Sequence, residues 1–319
     1  MSEMDAPPTR ALEWVAASVA ATARVVRVQS LAGGGWHATH LVTVRWPGDS
    51  DLELVLRRWT RPGWMEEDPE LTPGHEAAVL ELVSPASVPT PRLINCDLTG
   101  TNCDVPAILT DRLPGRPPGL VQASESFLRQ LAEASAAIHS VPIDDQARLP
   151  SYTRYHPDLA EGGPPTWSSQ RATWEGAAHI AARAAPPGSS SLIHRDYHPG
   201  NTLWLGGKLT GVVDWTQGCW GPVAVDTAHL RWNLAVRHGI GAADRFLEYA
   251  RRLSPTGIEE QRYWDVVTVL DLVPDLQPET WSAAKLRRLE GYLEGVLADS
   301  GRGDRTDSGR GPDGPWVGG

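Results

Sequence analysis

The sequence predicts an α+β fold with two lobes, a small N-terminal lobe built on an antiparallel sheet and a larger, mainly helical C-terminal lobe. Two observations support this prediction. Short strand-like segments separated by glycine and proline turns fill the region before residue 112, and helical periodicity dominates after residue 120. The chain has 319 residues, of which 41% are apolar, so it is long enough to form two hydrophobic cores.

The N-terminal lobe is predicted to begin with a helix that is followed by three strands. Residues 10–24 carry apolar side chains at helical spacing, with Leu12, Val15, Val19 and Ala23 expected on one face. The strand-like segments cover residues 25–31, 41–46 and 52–58. Gly33, Gly34 and Gly35 lie in the first connection, and a Pro-Gly turn lies in the second. Such short connections predict an antiparallel meander.

The third strand has a clear alternation of side chains. Leu52, Leu54 and Leu56 should face one side of the sheet, and Val55 and Arg57 should face the other. This pattern predicts that the leucines contribute to a core, while Val55 and Arg57 share the opposite surface.

A second helix and a further strand should complete the N-terminal lobe. Thr72 has the character of an N-cap and Pro73 that of a first helical residue, so a helix is expected to run to about residue 83. Residues 105–109 predict another strand, and the proline- and glycine-rich residues 113–119 predict a linker.

These features predict the domain organisation. We expect an N-terminal lobe over residues 1–112, a linker over 113–119, a C-terminal lobe over 120–298 and a tail over 299–319. The tail has almost no apolar residues and many glycines, so it is expected to be disordered. In the C-terminal lobe, residues 124–140 and 167–184 show helical periodicity.

The strongest functional signal is the sequence LIHRDYHPGN at residues 192–201, which contains the pattern H-R-D-x-x-x-x-N. In kinases, the Asp of this loop accepts the proton of the acceptor hydroxyl, and the Asn amide oxygen binds Mg²⁺. The pattern therefore indicates Asp196 as a general base and Asn201 as a metal ligand.

The segment that follows this motif predicts a β-hairpin. Residues 202–205 and 209–213 are strand-like, Gly206 and Gly207 lie between them, and Asp214 follows the second strand. A hairpin brings its two ends together, so Asp214 should return beside Asn201. A carboxylate there would supply a second hard oxygen ligand of the kind that Mg²⁺ prefers.

The run from Leu192 to Leu230, LIHRDYHPGNTLW followed by GVVDWTQGCWGPVAVDTAHL, resembles the aminoglycoside phosphotransferase family of small-molecule kinases. The resemblance extends from about Leu31 to at least Leu234. It implies a protein-kinase-like fold that binds ATP and Mg²⁺ in the cleft between two lobes. Where protein kinases have D-F-G this chain has D-W-T, and no A-P-E segment follows, which favours a small acceptor.

The resemblance also implies how the nucleotide is held. In such kinases a strand Lys contacts the α- and β-phosphates and pairs with a Glu from the following helix. The matching residues are Arg57 and Glu76, with Glu81 as the second candidate for the acid. Arginine in place of lysine keeps the charge and can grip phosphate with its planar guanidinium group. Val55, on the same face as Arg57, would line the adenine pocket.

Three further expectations concern residues around the site. Gly33, Gly34 and Gly35 lie where a phosphate-covering loop belongs, although they lack the G-x-G-x-x-G spacing of protein kinases. Asp226 resembles a family position that supports the catalytic loop. His194 is expected to brace this loop through hydrogen bonds.

The composition bears on partners and location. A net charge of -10 argues against nucleic acid as a partner and favours a polar or cationic small molecule. The acids expected to border the acceptor site are Asp158, Glu161, Asp271, Asp275 and Glu279. An aminoglycoside is the leading example of an acceptor, with macrolides, amino alcohols and sugars as alternatives.

The absence of a signal peptide or long apolar run, together with three scattered cysteines, predicts a cytoplasmic protein.

Two other classes of function remain open from the sequence. His194, Asp196 and His198 form H-x-D-x-H, which could bind zinc or iron in a hydrolase, although Asn201 and Asp214 have no role in such a site. Other histidines would have to converge there, and His229 and His238 lie in a helix-like stretch without a matching motif. A catalytically inactive nucleotide-binding scaffold is the second alternative, and its support is the arginine at position 57.

Overall fold

The computed structural model describes residues 6–31, 37–46, 51–67, 69, 71–84, 87–119, 121–143, 149–157 and 163–298. Gly33, Gly34 and Gly35 and the predicted tail over residues 299–319 lie outside these ranges. Within them, an antiparallel sheet forms the first lobe and helices dominate the second. The predicted α+β class is therefore confirmed.

A five-stranded antiparallel sheet forms the N-terminal lobe, in the order β1-β2-β3-β5-β4. Its strands are β1 (Arg24–Ser30), β2 (Ala38–Arg45), β3 (Leu52–Arg58), β4 (Leu93–Asp97) and β5 (Ala107–Asp111). The meander of β1 to β3 follows the prediction, and β4 was not predicted. The strand expected at residues 105–109 instead begins at Ala107, because Pro106 has no N–H to pair; its carbonyl accepts the Trp59 N–H at 2.9 Å.

Three helices accompany this sheet. They are α1 (Thr9–Val19), α2 (Trp64–Glu67) and α3 (Pro73–Val83). Helix α1 buries Ala11, Trp14 and Val15 in one core with Leu54 and Leu56 of β3. The helix predicted over residues 10–24 ends at Val19, because the chain becomes extended at Ala20 and turns to enter β1.

Helix α3 connects the sheet to the second lobe. It begins as predicted, since the Thr72 hydroxyl accepts a hydrogen bond of 3.0 Å from the His75 N–H. Its buried residues Val79, Leu80 and Val83 belong to the large core that continues into the C-terminal lobe. The helix is therefore anchored between the lobes, which fixes the position of any side chain that it directs into the cleft.

The C-terminal lobe contains six helices within the described ranges. They are α4 (Glu125–His139), α5 (Arg171–Ala181), α6 (Val223–His238), α7 (Ile240–Leu253), α8 (Gln261–Leu272) and α9 (Ala283–Ala298). Helix α6 contacts α7, α8 and α9 and is the centre of the lobe. None of the helices in the described part of the chain is both long and apolar enough to cross a membrane.

Four short strands in the described part of this lobe flank the H-R-D-x-x-x-x-N motif, and β6 (Ser190–Ile193) and β8 (Lys208–Val212) among them pack against α4. Strand β6 pairs with β9 (Cys219–Pro222), and β7 (Thr202–Leu205) pairs with β8. The second pair is the predicted hairpin, with Gly206 and Gly207 in its turn at positive φ angles. These two strand pairs frame the catalytic-loop sequence.

Candidate active site

Asp226 holds the loop that follows β6. Its carboxylate is fully buried at the start of α6 and accepts the backbone N–H groups of His194 at 2.9 Å and Arg195 at 2.7 Å. The ring of His139 in α4 lies 3.0 Å from the same carboxylate. Burial raises the pKa of Asp226, but the bond from His139 and its other neighbours outweigh this effect, so the pKa lies below its usual value. An ionised carboxylate thus ties the loop to two helices.

His194 lies between the loop and the hairpin. Its Nε2 is 3.0 Å from the Val213 carbonyl oxygen, and its ring centroid is 4.6 Å from that of Trp215. The side chain is fully buried and points into the protein. These contacts brace the loop against the hairpin, and they direct the His194 ring away from Asp196.

The two carboxylate oxygens of Asp196 have separate partners. His229 Nε2, from α6, lies 3.1 Å from Oδ1, and the Asn201 side-chain amide donates to Oδ2 at 2.9 Å. His198 Nε2 is 3.6 Å from Oδ1. Burial raises the pKa of Asp196, but the bond from His229 and the proximity of His198 hold the pKa below its usual value. The carboxylate is therefore ionised and its orientation is fixed.

The β7–β8 hairpin brings Asp214 back to the catalytic loop, as predicted. The Val213 N–H donates to the Asn201 carbonyl oxygen at 2.9 Å, which joins the two ends of the hairpin. Asp214 itself has a φ of 67°, a left-handed conformation that short polar residues tolerate better than most. Its side chain is 37% exposed, so the carboxylate remains accessible from the cleft.

Arg57 links the sheet, helix α3 and the hairpin. Its guanidinium forms ion pairs with Glu76 and with Asp214, the latter at 2.7 Å, and donates to the Thr216 hydroxyl at 3.1 Å. Glu76 is buried, whereas Glu81 is exposed, so the structure brings Glu76 and not Glu81 to Arg57. Burial raises the pKa of Asp214, but the neighbouring Arg57 cation outweighs this effect and holds the pKa well below its usual range.

The register of the sheet gives this face a continuous surface. Leu41, Val55 and Thr110 are direct partners across β2, β3 and β5, and in an antiparallel sheet such partners share a face. Arg57 is two residues beyond Val55 and therefore lies on the same face. The Arg57 side chain thus shares one face of the sheet with Leu41, Val55 and Thr110.

His37 is a further contact of Arg57. The Arg57 guanidinium donates a hydrogen bond to the His37 ring. Burial and the neighbouring Arg57 cation lower the pKa of His37 to about 3, so the ring is neutral and can accept this bond. No motif in the sequence pointed to His37, which lies one residue before β2 and is brought to Arg57 by the pairing of β2 with β3.

Asn201 and Asp214 are the residues that could hold a metal ion. Because the Asn201 amide nitrogen donates to Asp196, its amide oxygen is the atom available as a ligand. An amide oxygen and an ionised carboxylate suit Mg²⁺, which usually takes one or two protein oxygens and completes its shell with phosphate and water. Within the described ranges, no three His, Cys, Asp or Glu side chains form a metal-binding cluster.

A cavity of about 550 Å³ opens beside Asp196. Its lining combines aromatic and aliphatic side chains with a similar number of polar and charged ones: Leu71, Tyr152, Tyr155, His156, Arg195, Asp196, Gln217, Val225, His229, Trp232, Thr268, Asp271, Leu272 and Asp275. Two of the acids expected near the acceptor, Asp271 and Asp275, line it, whereas Glu279 does not. Asp158 and Glu161 lie outside the described residues. Asp271 is engaged by Arg154 at 3.2 Å, and Asp275 lies 3.2 Å from the His156 ring.

His229 lies in the site, although the sequence predicted a role for it only in the hydrolase alternative, where it had no matching motif. A weak signal exists, since His229 follows Asp226 by three residues on a helix, and residues at this spacing share a face. One face of α6 therefore carries both the residue that holds the loop and the residue that contacts Asp196.

Comparisons with known proteins bear on the family and on the fold. Residues 28–264 match the model of the phosphotransferase enzyme family. The macrolide 2'-phosphotransferase MphH from Brachybacterium faecium is 19% identical, with a TM-score of 0.59 over 88% of this chain and 97% of that chain. A thermostable mutant of the aminoglycoside phosphotransferase APH(4)-Ia, solved with ADP and hygromycin B, is 16% identical, with a TM-score of 0.58 over 87% and 95%.

A third similar structure is the amicoumacin kinase hAmiN in complex with AMP-PNP, Ca²⁺ and Ami. It is 13% identical, with a TM-score of 0.54 over 91% of this chain and 95% of that chain. At these identities the similarity establishes the fold. No curated protein sequence matched the chain.

Proposed function

The chain belongs to the phosphotransferase enzyme family, and on this premise we propose that it is an ATP- and Mg²⁺-dependent kinase that phosphorylates a hydroxyl group of a small molecule. One observation carries the proposal. An ionised Asp196 faces a cavity of about 550 Å³, while Asn201, at 2.9 Å, links it to the end of the hairpin that carries Asp214. This arrangement supports a general base beside a pair of oxygen ligands, which is what phosphoryl transfer to an alcohol requires.

Asp196 is the general base in this proposal. It accepts the proton of the acceptor hydroxyl as the hydroxyl oxygen bonds to the γ-phosphorus of ATP and the bond to ADP breaks. His229 and Asn201 hold its two carboxylate oxygens, so little orientation has to be gained during the reaction. A carboxylate that is already ionised near neutral pH can accept the proton.

The nucleotide site is assigned to the face of the sheet described above. Arg57 takes the place of the phosphate-binding lysine, Glu76 orients it, and Val55 lines the pocket for the base. Asn201 and Asp214 are the proposed Mg²⁺ ligands, and when bound the ion neutralises charge on the transferred phosphate. Asp214 is ion-paired with Arg57 through its Oδ1 atom. Gly33, Gly34 and Gly35 remain proposed as the phosphate-covering loop.

The proposed acceptor is a polar small molecule with a hydroxyl group. An aminoglycoside is the leading candidate, and macrolides, amino alcohols and sugars are the alternatives, because the fold fixes the donor site better than the acceptor site. The solved relatives described above include one with an aminoglycoside and one named for macrolides, which supports a range of acceptors.

A coupled ADP-release screen tests this proposal. Aminoglycosides, macrolides, amino alcohols, sugars and nucleosides are supplied with ATP and Mg²⁺, and products are analysed by mass spectrometry. We expect at least one acceptor to stimulate ADP release above the rate with water and to gain a phosphate, and the Asp196→Ala control to lose this stimulation. No binding of Mg²⁺-ATP, together with no phosphorylated product from any class, would contradict the proposal.

A further inference from the structure

The acceptor cavity has an aromatic wall that the phosphotransfer roles do not explain. Tyr152 and Tyr155 line it together with Arg195, whose Cζ atom lies 4.1 Å from the Tyr155 ring centroid and 5.6 Å from that of Tyr152. The Arg195 guanidinium lies over the Tyr155 ring, yet Tyr155 is still 40% exposed. The remainder of the ring is therefore accessible from the cavity.

Hydrogen bonds from three directions hold this wall in place. Arg195 Nη2 donates to the Thr153 carbonyl at 2.8 Å, and the Tyr155 N–H donates to the Asp271 carboxylate of α8 at 3.3 Å. The Tyr152 N–H donates to the Trp220 carbonyl of β9 at 2.8 Å. An aromatic surface that is already ordered can bind a ring with a small loss of conformational entropy.

The backbone of Arg195 adds an independent observation. Its φ is 68°, in the left-handed region that favours glycine, and it is one residue before Asp196. The side chain that accompanies this strained conformation is buried between the two tyrosines. Strained residues cluster at functional sites, where the surrounding structure holds them. The guanidinium backing of Tyr155 is a function that glycine at this position could not supply.

We propose that Tyr155, backed by Arg195, is a binding subsite for an uncharged ring of the acceptor, either a pyranose or an aromatic ring. The ring lies against the tyrosine while a hydroxyl elsewhere on the molecule reaches Asp196, so this assignment rests on the proposed kinase function. An ammonium group is disfavoured at this position, because cation–π contacts form within about 6 Å of a ring centroid and Arg195 already supplies that cation. Positive charge on the acceptor belongs instead near Asp275, which is 75% exposed.

A matched pair of probes tests the subsite by binding, without requiring turnover. The probes are methyl β-D-glucopyranoside and its cationic 2-amino-2-deoxy counterpart, which have a single ring each and are titrated in saturation-transfer NMR against the full chain. We expect the neutral probe to bind, and its affinity to fall at least about fivefold in Tyr155→Ala while it changes less than twofold in Tyr155→Phe. The cationic probe should bind at least about threefold more weakly than the neutral one.

Two further variants separate the subsite from a general loss of structure. Arg195→Gly suits the left-handed backbone and keeps the N–H that Asp226 accepts, so it should fold, and we expect it to weaken neutral-probe binding about threefold or more. Tyr249→Ala removes a tyrosine outside the cavity and should leave binding unchanged. Any of three results would overturn the proposal: the neutral probe shows no detectable binding, it binds wild type and Tyr155→Ala equally, or it binds no more tightly than the cationic probe. The acceptor screen described above, run on the same samples, reports the kinase function separately, since ring binding without a phosphorylated product from any acceptor class would refute the kinase alone.

Discussion

Removal of the Asp226 carboxylate should destabilise the protein by about 3–5 kcal/mol. The carboxylate is fully buried and accepts hydrogen bonds from the His194 and Arg195 N–H groups and from the His139 ring. A buried donor that loses its acceptor costs about 1–3 kcal/mol, and the three losses share one cavity, so the lower part of their sum applies. Asp226→Asn keeps one acceptor oxygen and should cost about half as much as Asp226→Ala.

Urea denaturation at pH 7 measures both variants, and the pH dependence gives a second check. Because the folded-state pKa of Asp226 is lowered, its contribution is present above the unfolded pKa of about 3.9 and is lost as the pH falls through the folded value. The stability difference between wild type and Asp226→Ala should therefore shrink below about pH 4. A loss under about 1 kcal/mol at pH 7, or a difference that grows on acidification, would refute the role of this carboxylate.

Three further predictions concern the site. Arg57→Lys should keep kcat/KM for ATP within about tenfold of wild type. Arg57→Ala should lower kcat/KM by about 10² or more, because Glu76 and Asp214 would face no cation. Equal kinetics for both variants would contradict this. Asp214→Ala should abolish turnover and weaken Mg²⁺-ATP binding in a calorimetric titration, and unchanged Mg²⁺ dependence would remove it from the site. His229→Leu should lower kcat about tenfold or more with an unchanged KM for ATP, while His229→Gln, which keeps a donor for Asp196, should recover most of the rate. If His229→Gln were as slow as His229→Leu, the hydrogen bond would not be the cause.

Local patterns predicted much of this architecture, since their physical causes are local. The alternation in β3 placed Val55 and Arg57 on one face, and the glycine turn after β7 predicted that Asp214 returns beside Asn201. The N-cap at Thr72 fixed the start of α3 and hence which side chain reaches Arg57. In each case a turn, a cap or a two-residue period determined the geometry.

Contacts set by tertiary packing could not be predicted in this way. His229 reaches Asp196 because α6 crosses beneath the catalytic loop, and nothing in the sequence near Asp196 specifies that crossing. The face of α1 was also misplaced, since Ala11 and Trp14 are buried while Leu12 is only partly so. The stacking of Arg195 on Tyr155 depends on a loop that precedes the motif by many residues.

The most direct test of the account is the rate of the chemical step in Asp196→Asn. This substitution keeps the size of the side chain and removes the proton acceptor. Single-turnover phosphate transfer from bound ATP to the best acceptor of the screen should slow by about 10² to 10⁴, with the Kd for Mg²⁺-ATP essentially unchanged. A transfer rate close to that of the wild type would contradict the assignment of Asp196 as the general base.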